Sequence, residues 1–382
     1  MNIKARILID ILHVRNSLHS GIANVAVGVL KGFVKYSDWD IIILTWEGMA
    51  EAVDDIAGRH LEKILVPVEQ QAYLDKKINI KRCPRFLTDL IDIKQIDLVF
   101  TTCYTINSYI YPKRFNQVGY VMDMQQMKIR KLRKQWVGMI YHWAYFALYL
   151  RLVNHIFCIS DTTGEDISKY SGRKSTTVYI SINNVFNQED TSPITGIEGM
   201  TYILDVNSFM DYKNTERLIE AFALIKDKIP HTLYLKGYGC DDRRKQELFS
   251  HIRLLGVSER VVLDINNRTA EEMAYLFDHA SLFVSPSLME GFGLTPIEAI
   301  MHGCPAIVSN IKCLVEVTNN RVKTFDPYSI ESISNAILSA LNNLPSREEI
   351  VEIGEYYKER YSLKRQIEQY EMHFSKIIQK ER

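Results

Sequence analysis

The chain has 382 residues, with 46 basic and 46 acidic side chains, and 47% of its residues are hydrophobic. This composition excludes a disordered tail, a collagen-like chain and a coiled coil. The zero formal net charge argues against bulk electrostatic binding to nucleic acid. The length predicts two domains, each large enough to bury its own core.

The six cysteines are scattered along the chain without a C-x-x-C pair, as is typical of free thiols in a reducing compartment. A structural zinc site is therefore not expected. Near the amino terminus, Asp10 breaks the short apolar run 7–9, so neither a signal peptide nor a membrane-spanning helix is expected. These features predict a cytoplasmic protein.

Short β-branched runs alternate with helix-period segments through most of the chain, which is the pattern of parallel strands joined by crossover helices. The pattern predicts an α/β protein with two doubly wound domains, at 1–186 and 200–361. The polar segment 187–199 is predicted to link them, and a terminal helix at 362–382 is expected to pack back across the domains. The predicted strands are 6–14, 40–46, 64–68, 96–101, 117–122, 155–159, 176–180, 201–206, 232–235, 260–265, 281–285, 306–309 and 322–325.

Three segments of the second half match the capping box, in which a hydroxyl and a carboxylate satisfy free amides at a helix start. Their hydroxyl residues are Thr269, Thr295 and Ser346, each followed three positions later by a glutamate. The sequence therefore predicts Thr295 as an N-cap, with Pro296 at the first helical position and the helix closing near Gly303.

Segment 128–152 combines basic charge with aromatic residues. Five of the seven residues 128–134 are basic, and residues 135–150 contain no Lys, Arg, Asp or Glu. The uncharged run is short for a bilayer span, so two interpretations are open. One is a helix at a membrane surface, which the coincidence of charge and aromatic residues favours, and the other is a helix buried against the sheet with a solvated basic start.

The stretch 285–305 carries the clearest functional pattern. An apolar strand leads into a turn with Gly291 and Gly293, and a helix follows. In open α/β sheets, ligands bind at the carboxyl ends of strands, where turn amides suit phosphate and carboxylates such as Glu290 and Glu298 accept hydrogen bonds from sugar hydroxyls. The alternative is structural, with Glu298 completing the capping box and the glycines making the turn.

The run 287–305 resembles the nucleotide-binding signature of glycosyltransferase family 4, in which two glutamates are separated by seven residues, here Glu290 and Glu298. The resemblance extends over most of the second half, including 212–214 and 218–222. The family includes the group 1 glycosyltransferases of surface polysaccharide synthesis. It implies a GT-B fold of two Rossmann-like domains facing a cleft, and transfer of a sugar from a nucleotide diphosphate donor with retention of anomeric configuration.

The resemblance also implies residue roles. Glu298 is expected to hold ribose hydroxyls of the donor, and Glu290 to act at the transferred sugar as a catalytic residue. Lys213 is expected to face the diphosphate and neutralise the leaving group, with a solvated helix-start lysine as the alternative. Many members have glycine and arginine where this chain has Asn207 and Ser208. The donor-binding residues carried over are Glu298, Lys213, Gly291, Phe292, Gly293, Leu294 and Gly21.

In the first half the resemblance covers a glycine loop and one acidic residue. Gly21 is expected to let the backbone approach the donor phosphate, and Arg15 is a candidate contact for the acceptor or a phosphate. The family's His-Asp pair reads Met122-Asp123 here, which leaves Asp123 as the second catalytic candidate. The structural alternatives are a turn glycine and a turn aspartate at a strand end.

Together with the resemblance, which is what implies retention, these features predict a metal-independent, retaining hexosyltransferase with no cofactor beyond its nucleotide sugar substrate. The acceptor is expected to be a saccharide, lipid-linked, in polysaccharide, O-antigen or capsule synthesis, with 128–152 at the inner face of the plasma membrane and no nucleic acid partner. The Asp38-x-Asp40 pair precedes its strand, so it is expected to be structural. The rival functions are a non-catalytic nucleotide-sugar-binding subunit and a GT-B epimerase or phosphorylase.

Overall fold

The computed structural model of the protein describes residues 5–15, 21–58, 61–71, 81–125, 136–182, 191–238 and 241–381. Residues 1–181 and 361–382 form one compact unit, and residues 182–360 form the other. Each unit holds one parallel sheet, with helices in most of the connections between successive strands. This confirms the predicted fold class of two doubly wound, Rossmann-like domains.

The sheet of the first unit contains seven parallel strands. They are β1 (Arg6–Asp10), β2 (Asp40–Trp46), β3 (Glu62–Val66), β4 (Leu98–Thr101), β5 (Gln117–Val121), β6 (His155–Cys158) and β7 (Thr176–Thr177). Their order is β3-β2-β1-β4-β5-β6-β7, so β1 and β4 flank the point where the strand order reverses. In the register of β1, Ile7 pairs with Ile41 of β2 and with Leu98 of β4.

The sheet of the second unit contains six parallel strands. They are β8 (Tyr202–Asn207), β9 (Thr232–Gly237), β10 (Val261–Asp264), β11 (Leu282–Ser285), β12 (Ala306–Ser309) and β13 (Lys323–Phe325). Their order is β10-β9-β8-β11-β12-β13, which reverses between β8 and β11. A crevice at the carboxyl ends of the strands on either side of such a reversal is where open α/β sheets bind ligands.

The helices cover both faces of the two sheets. They are α1 (Gly21–Tyr36), α2 (Ala50–Ala57), α3 (Arg85–Ile93), α4 (Trp136–Leu152), α5 (Asp161–Ser171), α6 (Thr215–Ile225), α7 (Asp242–Leu254), α8 (Ala270–His279), α9 (Leu294–Met301), α10 (Lys312–Val317), α11 (Ile330–Asn342), α12 (Arg347–Arg360) and α13 (Leu363–Glu381). The terminal helix α13 belongs to the first unit, where the rings of Tyr370 and Phe374 pack 4.8 and 5.2 Å from Phe100.

All thirteen predicted strands are present, and their ends differ from the prediction by a few residues. The largest difference is β1, which ends at Asp10 rather than at Val14. The chain turns there because the Asp10 carboxylate accepts a hydrogen bond from the Leu12 amide, and Val14 donates to the Ile11 carbonyl. The apolar residues after Asp10 are therefore buried in a turn instead of extending the strand.

Helix α4 covers most of segment 128–152, of which residues 128–135 lie outside the described residues. In its last turns Tyr149 is fully buried, and the Tyr149 hydroxyl accepts a hydrogen bond of 2.9 Å from the amide of Lys81. Leu148 is 40% exposed. In the described parts of the chain, no helix has the length and hydropathy needed to cross a membrane.

Candidate functional site

Three loops meet at the carboxyl ends of the strands in the second unit. Asn214, just before α6, donates from its side-chain amide to the carbonyl oxygens of Pro286 and Pro327, at 3.0 and 2.8 Å. The amide of Leu288 donates to the Tyr212 carbonyl at 2.8 Å. These bonds join the loops that follow β8, β11 and β13, and so fix the backbone around Lys213 and Glu290.

Lys213 and Glu290 form a largely buried ion pair. The Lys213 ammonium lies 2.7 Å from Glu290 Oε1, and the side chains are 15% and 10% exposed. Burial lowers the pKa of Lys213, but the neighbouring Glu290 carboxylate outweighs this and raises that pKa above its usual value. The Ser287 hydroxyl donates to the same Glu290 oxygen at 2.7 Å. Lys213 is therefore a charged, positioned cation and not a solvated lysine.

Asp205 lies beneath this ion pair, near the carboxyl end of β8. Burial raises the pKa of Asp205 to about 8, and Glu290 adds to this rise, whereas Lys213 and a hydrogen bond from Asn207 oppose it. The Asn207 side chain also accepts from the amide of Phe209 at 2.5 Å. Asn207 thus supports the acid and the loop.

The helix after β11 begins differently from the prediction. Its N-cap is Gly293, with a φ of +88°, and Leu294 is the first helical residue, so the predicted N-cap role of Thr295 is wrong. The glycine turn reaches the left-handed region, which lets the helix start before the hydroxyl residue. Glu298 consequently lies one turn inside α9, beyond the first amides, and does not complete a capping box. The boxes starting at Thr269 and Ser346 are confirmed.

Glu298 is buried without a donor for its carboxylate. The residue is 7% exposed, and burial raises the pKa of its carboxyl group to about 7. Among the residues that the structure describes, none donates a hydrogen bond to this carboxylate or pairs with it. A buried acceptor without a donor is costly, so the site suits a ligand that brings its own hydroxyl groups.

Two glycines allow the loops to pack closely. A Cβ at Gly293 would lie 2.4 Å from Leu314 Cδ2, and a Cβ at Gly237 would lie 1.8 Å from the ring of Phe209. Gly237 ends β9 and brings that loop against the loop after β8. These contacts hold the glycine turns in place, as a site that binds phosphate through backbone amides requires.

The phenol of Tyr238, directly after β9, lies within electrostatic range of three of the predicted side chains. Partial burial raises the pKa of this phenol, Lys213 lowers it, and Glu290 and Glu298 raise it further. All three charges therefore act on a single hydroxyl group. Gly291 and Phe292 are buried in the intervening turn, beside Gly293 and Leu294.

The first unit has a polar cavity at the carboxyl ends of β1 and β4. It encloses about 160 Å³, and its lining includes Asp10, Arg15 and Cys103. The Asp10 carboxylate is 2% exposed and accepts hydrogen bonds from the hydroxyls of Tyr111 and Thr101, at 3.0 and 3.3 Å. Burial raises the pKa of Asp10 to about 6, although these bonds oppose the rise.

The other candidates of the first unit lie at the same edge of its sheet. Asp123 is exposed after β5 and accepts a hydrogen bond from the Gln125 amide at 3.0 Å. Burial raises the pKa of Cys103 to about 12, and the Asp123 carboxylate adds to this, so Asp123 lies near the cavity lining. Gly21 is the first residue of α1, and residues 16–20 of the predicted glycine loop lie outside the described residues.

Within the described chain, no group of three or more His, Cys, Asp or Glu side chains is arranged to hold a metal ion. The Asp40 carboxylate lies 2.6 Å from Arg6 Nε, consistent with a structural role for the Asp38-x-Asp40 pair. The donor site offers one cation, helix and turn amides, and acceptors for hydroxyls. This set can bind a sugar linked to a diphosphate.

Sequence reasoning missed several residues of these sites. Two of them carried a visible signal, because Asp10 and Asp205 each place a charge inside the apolar run of a central strand. Asn214 and Ser287 lie within the stretches that carry the family resemblance, but no pattern indicated their hydrogen bonds to Pro286 and Glu290. Tyr238 belongs to no sequence pattern that indicates a functional residue.

Comparison with known proteins finds a family model that matches most of the second unit. Residues 187–357 match the family model "Glycosyl transferases group 1". Over 150 residues the chain is 31% identical to O-antigen chain mannosyltransferase B of Escherichia coli, covering 38% of each chain. Over 236 residues it is 24% identical to O-antigen chain mannosyltransferase RfbU of Salmonella typhimurium, covering 62% of this chain and 59% of that protein. The chain thus spans less than two thirds of either relative.

The fold extends beyond the matched region. The solved structure of Anabaena HepE in complex with UDP aligns with a TM-score of 0.69 at 13% identity, covering 97% of this chain and 100% of that one. Structural similarity at this identity shows the fold, which is the GT-B fold expected from the sequence. Residues 187–357 therefore resemble the group 1 glycosyl transferases, within a chain of GT-B fold.

Proposed function

We propose that the protein is a retaining hexosyltransferase that uses a nucleotide diphosphate sugar in polysaccharide or O-antigen synthesis. The family match of the second unit and the two O-antigen mannosyltransferase relatives support this activity. The relatives named as mannosyltransferases make mannose the first hexose to test. The substrate classes follow from the same similarities and from the chemistry of the donor site.

The buried, unpaired carboxylate of Glu298 is the observation that carries the proposal. Two hydroxyls of a ribose would supply the donors that this carboxylate lacks among the described residues. Lys213 would meet the diphosphate, whose charge grows as the bond to the sugar breaks, and the amides at the start of α9 would add to that stabilisation. Glu290, held by Lys213 and Ser287, would accept hydrogen bonds from sugar hydroxyls.

This mechanism does not require the chain to bind a metal ion or a cofactor. In many transferases a divalent ion neutralises the diphosphate, and here Lys213 and backbone amides would perform that task. The reaction then depends on positioning and on electrostatic stabilisation of the leaving group. A chelator should therefore leave the transfer rate unchanged.

The first unit would bind the acceptor. Its cavity places Arg15 beside the buried Asp10, and Asp123 lies close to the lining residue Cys103. A saccharide offers hydroxyls to the carboxylates, and a phosphate in a lipid-linked acceptor would pair with Arg15. Segment 128–152 would bring this unit to the inner face of the plasma membrane, with α4 near the lipid surface.

The transfer assay uses purified protein, a panel of nucleotide diphosphate hexoses and either a soluble or a lipid-linked saccharide. We expect transfer without added metal, faster to the lipid-linked acceptor, with the donor's anomeric configuration kept in the product as read by NMR. Glu290→Gln should lower the transfer rate at least a hundredfold. Glu352→Gln, an exposed glutamate on α12, is the matched control and should leave the rate unchanged.

The rival functions give different results in this assay. A non-catalytic subunit would bind a nucleotide sugar without hydrolysing or transferring it. A phosphorylase would release a sugar phosphate when phosphate is added, and an epimerase would change the sugar without an acceptor. Any of these results would contradict the proposed transferase.

A further inference from the structure

A basic groove lies in the first unit, at the opposite edge of the sheet from Arg15 and Asp123. It runs between the amino ends of β6 and β7 and the last turns of α13, and it encloses about 700 Å³. Among the described residues that line the groove, none is an aspartate or a glutamate. The basic side chains of this groove are His155, Arg173, Lys174, His373, Lys376 and Lys380.

Three lysines of the basic groove have no acidic partner within the described chain. Lys174, Lys376 and Lys380 are exposed, and none of them makes an ion pair or hydrogen bond with another described residue. Lys376 also helps to lower the pKa of His373, after the larger effect of burial. Several like charges around one concave surface repel each other, and an anion bound there would relieve the repulsion.

The framework of the groove is well fixed. The Arg173 guanidinium donates to the carbonyl oxygens of Leu150, Val153 and Asn154, at 2.9, 3.1 and 2.8 Å. These three carbonyls lie at the carboxyl end of α4, so Arg173 links the groove to that end of the helix. Opposite, the His373 ring packs 5.7 Å from Phe157.

The form of the groove favours an extended anionic surface over one small anion. Its three unpaired lysines are exposed and unconstrained, which is typical of diffuse attraction, whereas a specific phosphate site converges buried donors. Two exposed apolar side chains lie a few residues along the chain from residues that line or support the groove. Leu148 is 40% exposed near the fixed end of α4, and Met372 is 47% exposed one helical turn before Lys376 on α13.

We propose that the basic groove docks the first unit on an anionic phospholipid surface. The lysines would approach the lipid phosphates, and Leu148 and Met372 would contact the interfacial layer. The residues of this contact are none of those assigned to the donor site or to segment 128–134. It gives the unit a second membrane contact at the carboxyl end of α4, so that the helix would lie along the surface.

The test measures binding of the full chain to sedimented vesicles. Wild type should bind vesicles that contain phosphatidylglycerol much more tightly than pure phosphatidylcholine vesicles, and added salt should weaken this binding. The triple variant Lys174→Gln/Lys376→Gln/Lys380→Gln should bind about a hundredfold more weakly, from about fivefold per lysine. The control variant Lys31→Gln/Lys35→Gln/Lys323→Gln removes the same charge at exposed sites outside the groove. Its binding to these vesicles should weaken much less.

Equal losses in the two triple variants would overturn the proposal, and so would equal binding of wild type to both kinds of vesicle. Tighter binding to a soluble polyanion such as polyphosphate, at equal phosphate concentration, would also overturn it, because the partner would then not be a lipid surface. Sugar transfer to a soluble acceptor should be unchanged in the groove variant. That readout separates failure of this proposal from failure of the proposed transferase activity.

Discussion

The Lys213 ammonium lies 2.7 Å from Glu290 Oε1 and is held there in a largely buried ion pair. A donor diphosphate and the Glu290 carboxylate would therefore share one cation. The pair keeps Lys213 charged despite its burial, and it keeps Glu290 oriented by the same contact. The negatively charged diphosphate would then enter a site whose cation is already in position. Catalysis would therefore need less reorganisation of the site.

Removing one partner of this pair should lower the free energy of unfolding more than removing both partners. Lys213→Met leaves the buried Glu290 carboxylate uncompensated, so we expect the free energy of unfolding of the second unit to fall by about 3 kcal/mol. Adding Glu290→Gln should recover most of that loss, while both variants lose sugar transfer. Denaturant unfolding of the single and double variants measures the difference.

A surface pair provides the control for this cycle. Lys226 lies 2.8 Å from the Asp227 carboxylate, whose side chain is 82% exposed. Lys226→Met should change the free energy of unfolding by less than about 1 kcal/mol, because water screens the pair. A loss at Lys213 no larger than the loss at Lys226 would show that the buried pair is energetically unimportant.

Glu298→Gln should stabilise the protein at high pH while weakening nucleotide binding. The pKa of Glu298 is about 7 in the folded state against 4.5 ordinarily, so ionisation opposes folding as pH rises through this interval. The variant and wild type should be equally stable near pH 4. At pH 8 the variant should be more stable by about 3 kcal/mol.

Unfolding curves at the two pH values and nucleotide titrations of the same samples measure both effects. The Glu352→Gln variant is again the control, and it should change neither the free energy of unfolding nor the affinity for the nucleotide. If Glu298→Gln instead lowers stability at pH 8, the carboxylate has a stabilising partner in the folded protein, and its assignment to ribose hydroxyls loses its physical basis.

Asp205 should give the transfer reaction an alkaline limit. Its pKa of about 8 keeps it mostly protonated at neutral pH, and it becomes an anion beside the diphosphate site above that value. We expect kcat/KM for the donor to fall as pH rises past 8. Asp205→Asn keeps this group neutral and should extend activity to higher pH, and an identical alkaline fall in the variant would exclude Asp205 as its cause.

Gly237→Ala should destabilise the loop after β9. The added methyl group would lie 1.8 Å from the ring of Phe209, a fully buried side chain, so one of the two loops must shift. Overpacking of this kind costs about 1–3 kcal/mol. Gly48→Ala, where the methyl group meets no atom within 4 Å, is the control. Thermal unfolding compares the two, and equal midpoints would contradict the close packing at Gly237.

The sequence predicted much of the fold because buried parallel strands produce long β-branched runs that local periodicity detects. Glu290 and Lys213 were also predicted to lie in one site. That prediction came only from the family resemblance, because no local pattern links positions 77 residues apart. The start of α9 was predicted wrongly. Its N-cap depends on the positive φ of Gly293, and a hydroxyl two residues later matches the capping pattern equally well.

Side-chain networks were beyond sequence reasoning for a different reason. The three-loop contact of Asn214 and the cavity around Asp10 depend on how distant segments pack, which periodicity does not report. A charge inside the apolar run of a central strand would have pointed to Asp10 and Asp205. In both units this residue lies beside the reversal of strand order, where ligands bind in such sheets.

Calorimetric titration of the protein with UDP, GDP, ADP and TDP, in the presence of a chelator, tests the donor site most directly. We predict that one nucleotide binds wild type without metal, and that Glu298→Ala and Lys213→Ala each weaken this binding at least tenfold. The Glu352→Ala variant should bind like wild type. Binding that survives in both site variants, or binding of no nucleotide at all, would contradict the assignment of Glu298 and Lys213 to a nucleotide diphosphate sugar.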